Sequence, residues 1–321
     1  MSSITLPAPS AAARPAPSPA TVLYWALRVG VGLEFIGHGM AGLAHSKGWL
    51  PYYALLGVST HAANHLFFYL TGTVDVCLGV LVILRPMRAT VAWMAFWGLF
   101  TAVLRPLVGE SVFELVERGA NYGMPLAFLL LAGLPTWSWS SWFGTVRPSP
   151  SLDAVRAGQV AWVARVSVAL LLVGHGGLGI WAHKAEWGDF FAVLGVGRDT
   201  AGTLHLAAWV GWFEVALGLA VLLAPVRELL VFVLAWKLGT ELLRPLAGQP
   251  LFQFVERSGD YALPVALLAL LALDGIRGAV PSPAARRERE AVVAGSPRPF
   301  PQQWHTGDGT VGRPVLQGST R

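Results

Sequence analysis

The chain has 321 residues, of which 54% are hydrophobic and 13% charged, roughly half the ~25% charged share of a soluble domain. That is too little charge to solvate a globular surface, and the single cysteine, Cys77, excludes a disulfide scaffold and Cys-ligated zinc or iron–sulfur centres. The net charge of +5 comes mainly from arginine, with lysine only at 47, 184 and 237, a bias that fits a GC-rich bacterial genome.

In chain order, residues 1–22 are rich in Pro, Ala and Ser and read as a disordered lead, not a signal peptide. Eight stretches then approach the roughly 20 apolar residues that cross a bilayer: 23–44, 65–84, 88–107, 120–138, 159–181, 204–224, 227–246 and 260–277. The expected class is all-α and polytopic, with eight transmembrane helices arranged as two parallel four-helix repeats. The first repeat covers 23–138, a linker 139–158 and the second repeat 159–278, and a disordered polar tail follows over 279–321. Arginine dominates one set of short loops (Arg85, Arg88, Arg147, Arg156, Arg227), whereas the opposite set mixes Lys47, Lys184 and Arg198 with acids. The positive-inside rule puts the first set, and with it both termini, in the cytoplasm; the expected location is the bacterial inner membrane.

The repeat itself rests on three collinear matches. LRVGVGLEFIGHGMAGL from Leu27 matches ARVSVALLLVGHGGLGI from Ala164, GTVDVCLGV from Gly72 matches GWFEVALGL from Gly211, and LRPLVGESVFELVERGANYGMP from Leu104 matches LRPLAGQPLFQFVERSGDYALP from Leu243. These pair His38 with His175, Asp75 with Glu214, Arg105 with Arg244, Tyr122 with Tyr261, and the Val-Glu-Arg segments carrying Glu117-Arg118 and Glu256-Arg257 with each other. Each half holds an even number of spans, so both insert the same way up, about a pseudo-two-fold axis along the membrane normal.

A first helix of the form R-x-x-x-G-x-x-F-x-x-H-G (Arg28, Gly32, Phe35, His38-Gly39) and a second helix with an acid followed by Leu-Gly (Asp75, Leu78-Gly79) resemble the DoxX-like membrane proteins. The resemblance covers about 23–277 as two tandem copies. It implies a fused pair of four-helix units, and some members of that family are associated with quinone-linked or other membrane redox complexes.

Ionisable groups inside spans are costly and are functional candidates. His38 sits between two glycines, on one helical face with Glu34. His38 and His175 either bond a carbonyl or acid within their own bundles, or face each other near the axis to ligate a haem or hydrogen-bond a quinone. Asp75 and Glu214, each flanked by glycines at helical spacing, either hydrogen-bond between helices or hold and pass a proton. Arg105 and Arg244, with Tyr122 and Tyr261, suit an anionic or quinone-like ligand near the outer leaflet; the Glu117-Arg118 and Glu256-Arg257 pairs also suit an Arg–Glu lock on the loops. Glu34 and Lys237 fall at similar depth and could pair across the halves, with Lys237–Glu241 at i+4 as the simpler pairing.

The expected function is an accessory or subunit of a membrane redox process, with a quinone, or a haem b instead, as the ligand and a soluble or membrane redox partner. A small-solute transporter or channel at the repeat interface and a membrane scaffold for soluble partners are the alternatives. The basic tail lacks interleaved aromatics and suits the lipid bilayer, not nucleic acid.

Overall fold

The computed structural model describes residues 17–149, 151–182, 184, 186–196 and 200–279. The lead up to residue 16, the tail from 280, His183 and Arg198 lie outside the described residues. The fold is all-helical. Among the described residues eight helices have fourteen residues or more: α1 Pro19–Leu43, α2 Thr60–Leu84, α3 Arg88–Leu107, α4 Gly119–Ala132, α5 Ala154–Ala182, α6 Thr200–Leu223, α7 Arg227–Leu246 and α8 Gly259–Ala279.

Five of these, α1, α2, α3, α5 and α6, are long and apolar enough to cross a membrane. Helix α7 has the length, but Arg227, Glu228, Lys237, Glu241 and Arg244 lower its hydropathy. Helix α4 stops at Ala132, short of the expected 138, because Gly133 turns the chain at φ 79° and Pro135 follows. The expected linker is partly helical, with one short helix at Trp139–Phe143 and α5 starting at Ala154.

Local signals set the other ends. Ser18 accepts the Thr21 amide at the start of α1, where Pro19 fills the first turn. Asp153 caps α5 by accepting the Arg156 amide at 2.8 Å. The last carbonyls of α2 are met from outside: Arg28 on α1 donates to Val82 O and Ile83 O. Arg165 on α5 does the same for Leu222 O and Leu223 O of α6.

Helix α1 packs mainly on α2, and α5 on α6 and α4. Glycine makes the first two contacts possible: a Cβ on Gly39 would lie 2.5 Å from Gly72 O, and one on Gly176 would lie 2.4 Å from Gly211 O. One apolar core runs through both halves, with Leu27, Met94, Met124, Phe128, Leu172 and Leu263 fully or nearly fully buried. Large apolar side chains such as Phe96 on α3 and Trp209 on α6 instead face outward, as lipid contact requires.

Gly39→Ala is expected to lower stability by about 1–3 kcal/mol through backbone overpacking, whereas Gly48→Ala, with open space around it, should change little. Thermal unfolding of the two variants in detergent checks the contrast; equal midpoints contradict it.

Candidate functional site

The glycine contact between α1 and α2 brings His38 Nδ1 to 2.8 Å from Asp75 Oδ2, and the α5–α6 contact brings His175 Nδ1 to 2.5 Å from Glu214 Oε2. Each imidazole also stacks on an indole from the loop after its helix: His38 on Trp49 at 4.6 Å and His175 on Trp187 at 4.9 Å between centroids. With Nδ1 committed, only Nε2 of either histidine can meet a ligand. Of the two readings of these histidines, the structure shows the first: each imidazole bonds the acid of its own half, because a buried carboxylate must find a partner. Asp75 and Glu214 thus each make an interhelical hydrogen bond, and Glu214 also accepts from Trp236 Nε1 at 2.9 Å.

Beside His38 lies a partly open cavity of about 70 Å³. Its walls are aromatic (Phe35, Trp49, Tyr52, Tyr53, Trp97, Phe100), its floor is Gly98, and its polar groups are Glu34, His38, Thr71, Thr101, Arg105, Arg118, Asn121 and Glu256. The Gly98 floor is tight against α4: Pro125 has no amide proton for the Asn121 carbonyl, which would lie 2.9 Å from a Cβ on Gly98. Glu34 is 3% exposed; Asn121 hydrogen-bonds its carboxyl, yet Oε2 has no hydrogen-bond partner. Trp97 Nε1 is also buried without one.

The cavity's arginines are already matched. Arg105 Nη1 reaches Glu110 at 2.9 Å and Glu114 at 3.2 Å, with its guanidinium 5.5 Å from the Tyr52 ring centroid. Arg118 Nη1 reaches Glu114 at 2.8 Å and Glu117 at 3.1 Å, and Lys184 pairs with Glu114. Tyr52 donates to Glu110.

The second half differs at the matching positions. Gly98 and Ala102 are replaced by Lys237 and Glu241, whose side chains are buried as a charge cluster. Lys237 Nζ lies 2.9 Å from Glu241 and 3.2 Å from Asp260, while Arg244 and Arg257 reach Glu241 at 2.6 and 3.1 Å. The expected Glu34–Lys237 pair does not form. Lys237 takes the i+4 acid on its own helix together with Asp260, and the position matching Glu34 is the apolar Leu171.

The halves meet reciprocally: a Cβ on Gly37 would lie 2.3 Å from the Glu256 amide nitrogen, and one on Gly174 would lie 2.0 Å from that of Glu117. The Val-Glu-Arg segment of each half is thus seated against the helix that carries the other half's histidine. Burial opposes ionisation of Glu117, but Arg118, Lys184 and Arg257 outweigh it and hold the carboxyl well below the usual range. Burial is likewise outweighed at Glu256, by His38, Arg257, Arg118 and Arg105. The Arg–Glu lock is present between Arg118 and Glu117, whereas Arg257 pairs with Glu241.

Of the expected ligand residues, His38 and Arg105 line the cavity; His175, Arg244, Tyr122 and Tyr261 do not. Tyr261 stacks on Phe254 and donates to its carbonyl at 3.3 Å. The missed residues are Trp49, Tyr52, Tyr53, Trp97 and Asn121. The repeat could have revealed several: residues 45–58 align with 183–196, pairing Trp49 with Trp187, Tyr52-Tyr53 with Phe190-Phe191, and Gly57 with Gly195 at φ 78° and 80°.

Comparison with family models, curated proteins and solved structures finds no match to this chain. An all-helical chain with five helices long and apolar enough to span a bilayer fits the class of polytopic helical membrane proteins.

Two outcomes follow. Because the Glu117 and Glu256 carboxyls titrate below the ~4.3 of a free glutamate, their contribution is intact above about pH 5 and is lost as pH falls through and below about 4. Thermal midpoints in detergent should be level from about pH 7 to 5 and then drop, less steeply for Glu256→Gln; a level profile down to about pH 3 contradicts this. Lys237→Met removes the cation paired with buried Asp260, while Glu241 keeps Arg244 and Arg257, and is expected to cost about 3 kcal/mol; an unchanged midpoint contradicts the cluster's role.

Proposed function

We propose that this is a bacterial inner-membrane protein with both termini cytoplasmic, built as two parallel four-helix repeats akin to DoxX-like proteins. In this reading it serves a membrane redox process by binding a quinone-class ring beside His38. The membrane count rises from five helices to eight if α4, α7 and α8 also cross. What supports this for α7 is that Lys237, Glu241 and Arg244 turn inward and neutralise one another, as charged groups within a span must.

The observation that carries the ligand assignment is the pair of unmatched buried atoms, Glu34 Oε2 and Trp97 Nε1, in an aromatic cavity. Buried polar atoms are nearly always bonded, so this pair suits a ligand that offers both an acceptor and a donor. Flat aromatic walls suit a planar ring, and His38 Nε2 adds a third polar contact. A neutral ring fits better than an anion, because Arg105 and Arg118 are already spent on Glu110, Glu114 and Glu117 while Glu256 repels negative charge.

Trp97→Phe keeps the wall but removes the donor. Titration of a short-chain quinone against intrinsic fluorescence should give an affinity about tenfold weaker than the parent, with an unaltered thermal midpoint. Equal affinity in the two proteins counts against the assignment.

A further inference from the structure

A second cavity lies at the opposite end of the bundle, where α1, α3 and α5 begin and α4 ends. It is partly open, holds about 240 Å³, and is lined by Arg88, Arg147 and Arg156 over an apolar floor that includes Leu23 and Leu131, with no acidic side chain in its wall. Most of this positive charge is unmatched. Arg88 donates to Ala132 O, Gly133 O and Ser141 O at 2.6, 2.7 and 3.2 Å, all neutral acceptors. Arg147 is exposed and has no hydrogen-bond or ion-pair partner among the described residues. Arg156 alone meets a carboxylate, Asp153 at 3.4 Å, in a largely solvated pair.

Tied to this cavity through Arg88 is the Trp139–Phe143 helix, held by the Arg88–Ser141 bond and flanked by the Arg85–Thr145 bond. Its indoles turn outward: Trp139 is 80% exposed and the preceding Trp137 is fully exposed. Outward indoles of this kind settle at the head-group level of a bilayer, and basic pockets among helices at that level take anionic head groups.

We propose that the Arg88–Arg147–Arg156 cavity binds the phosphate of an anionic phospholipid, with the acyl chains running along the neighbouring apolar helix faces. A soluble phosphate shares the head-group chemistry, but the apolar floor and the outward indoles favour the lipid. This site is independent of the quinone assignment.

The test is native mass spectrometry of the full chain in detergent, titrated with phosphatidylglycerol or phosphatidylcholine. Phosphatidylglycerol should be retained in preference, and the Arg147→Gln/Arg156→Gln variant should bind it about 25-fold more weakly, about fivefold per arginine. Arg147→Lys/Arg156→Lys should restore most of the preference. If the double glutamine variant fails to fold, Arg147→Gln alone, on an exposed segment, should show the fivefold loss. Equal retention of the two lipids, or unchanged affinity in the glutamine variants, overturns the proposal. Displacement of bound phosphatidylglycerol by inorganic phosphate overturns the lipid assignment in favour of a soluble phosphate.

Discussion

A carboxylate can remain among apolar helices only if another group meets it at close range, and in this chain that requirement is met by glycine. Gly39 against Gly72, and Gly176 against Gly211, let two helices approach until an imidazole on one reaches an acid on the other. The same approach fixes which imidazole nitrogen is left over and places the following loop tryptophan against the ring. The site is therefore a consequence of backbone proximity, and the polar chemistry inherits its geometry from residues without side chains.

From that shared frame the two halves diverge. In the first, small residues at 98 and 102 leave a cavity, and Trp97 Nε1 is unmatched. In the second, Lys237 and Glu241 stand at those positions as a buried pair, and the matching indole donates to Glu214. A buried cluster of this kind is weak evidence for added stability; its evident physical effect is to fill volume and fasten α7 to α8 through Asp260. The reciprocal seating of Glu117 and Glu256 against Gly174 and Gly37 means that each half also completes the surroundings of the other's histidine.

Much of this was legible in the residues. The helical class, and the sequence match of His38 with His175 and of Asp75 with Glu214, need only hydropathy and collinear spacing. What escaped depends on rotation and on loops. Spacing places Glu34 and Lys237 at one depth, but depth does not set azimuth, and Lys237 turns to Asp260. The arginines looked available because Glu110 and Glu114 lie in a connecting segment whose path no periodicity encodes. Trp49 and its tyrosine neighbours sit in a short loop helix between spans, where hydropathy is silent. The early end of α4 was readable from Gly133 and Pro135, which outweigh the apolar composition around them.

The account stands or falls on whether the first half alone receives a ring ligand. A photoreactive quinone analogue applied to the full chain in membranes, with the labelled peptides mapped by mass spectrometry, addresses this directly. Label within residues 34–56 or 97–105, competed by unmodified quinone, is the expected result. Label confined to the matching stretches 171–194 or 236–244, or label that excess quinone does not diminish, contradicts it.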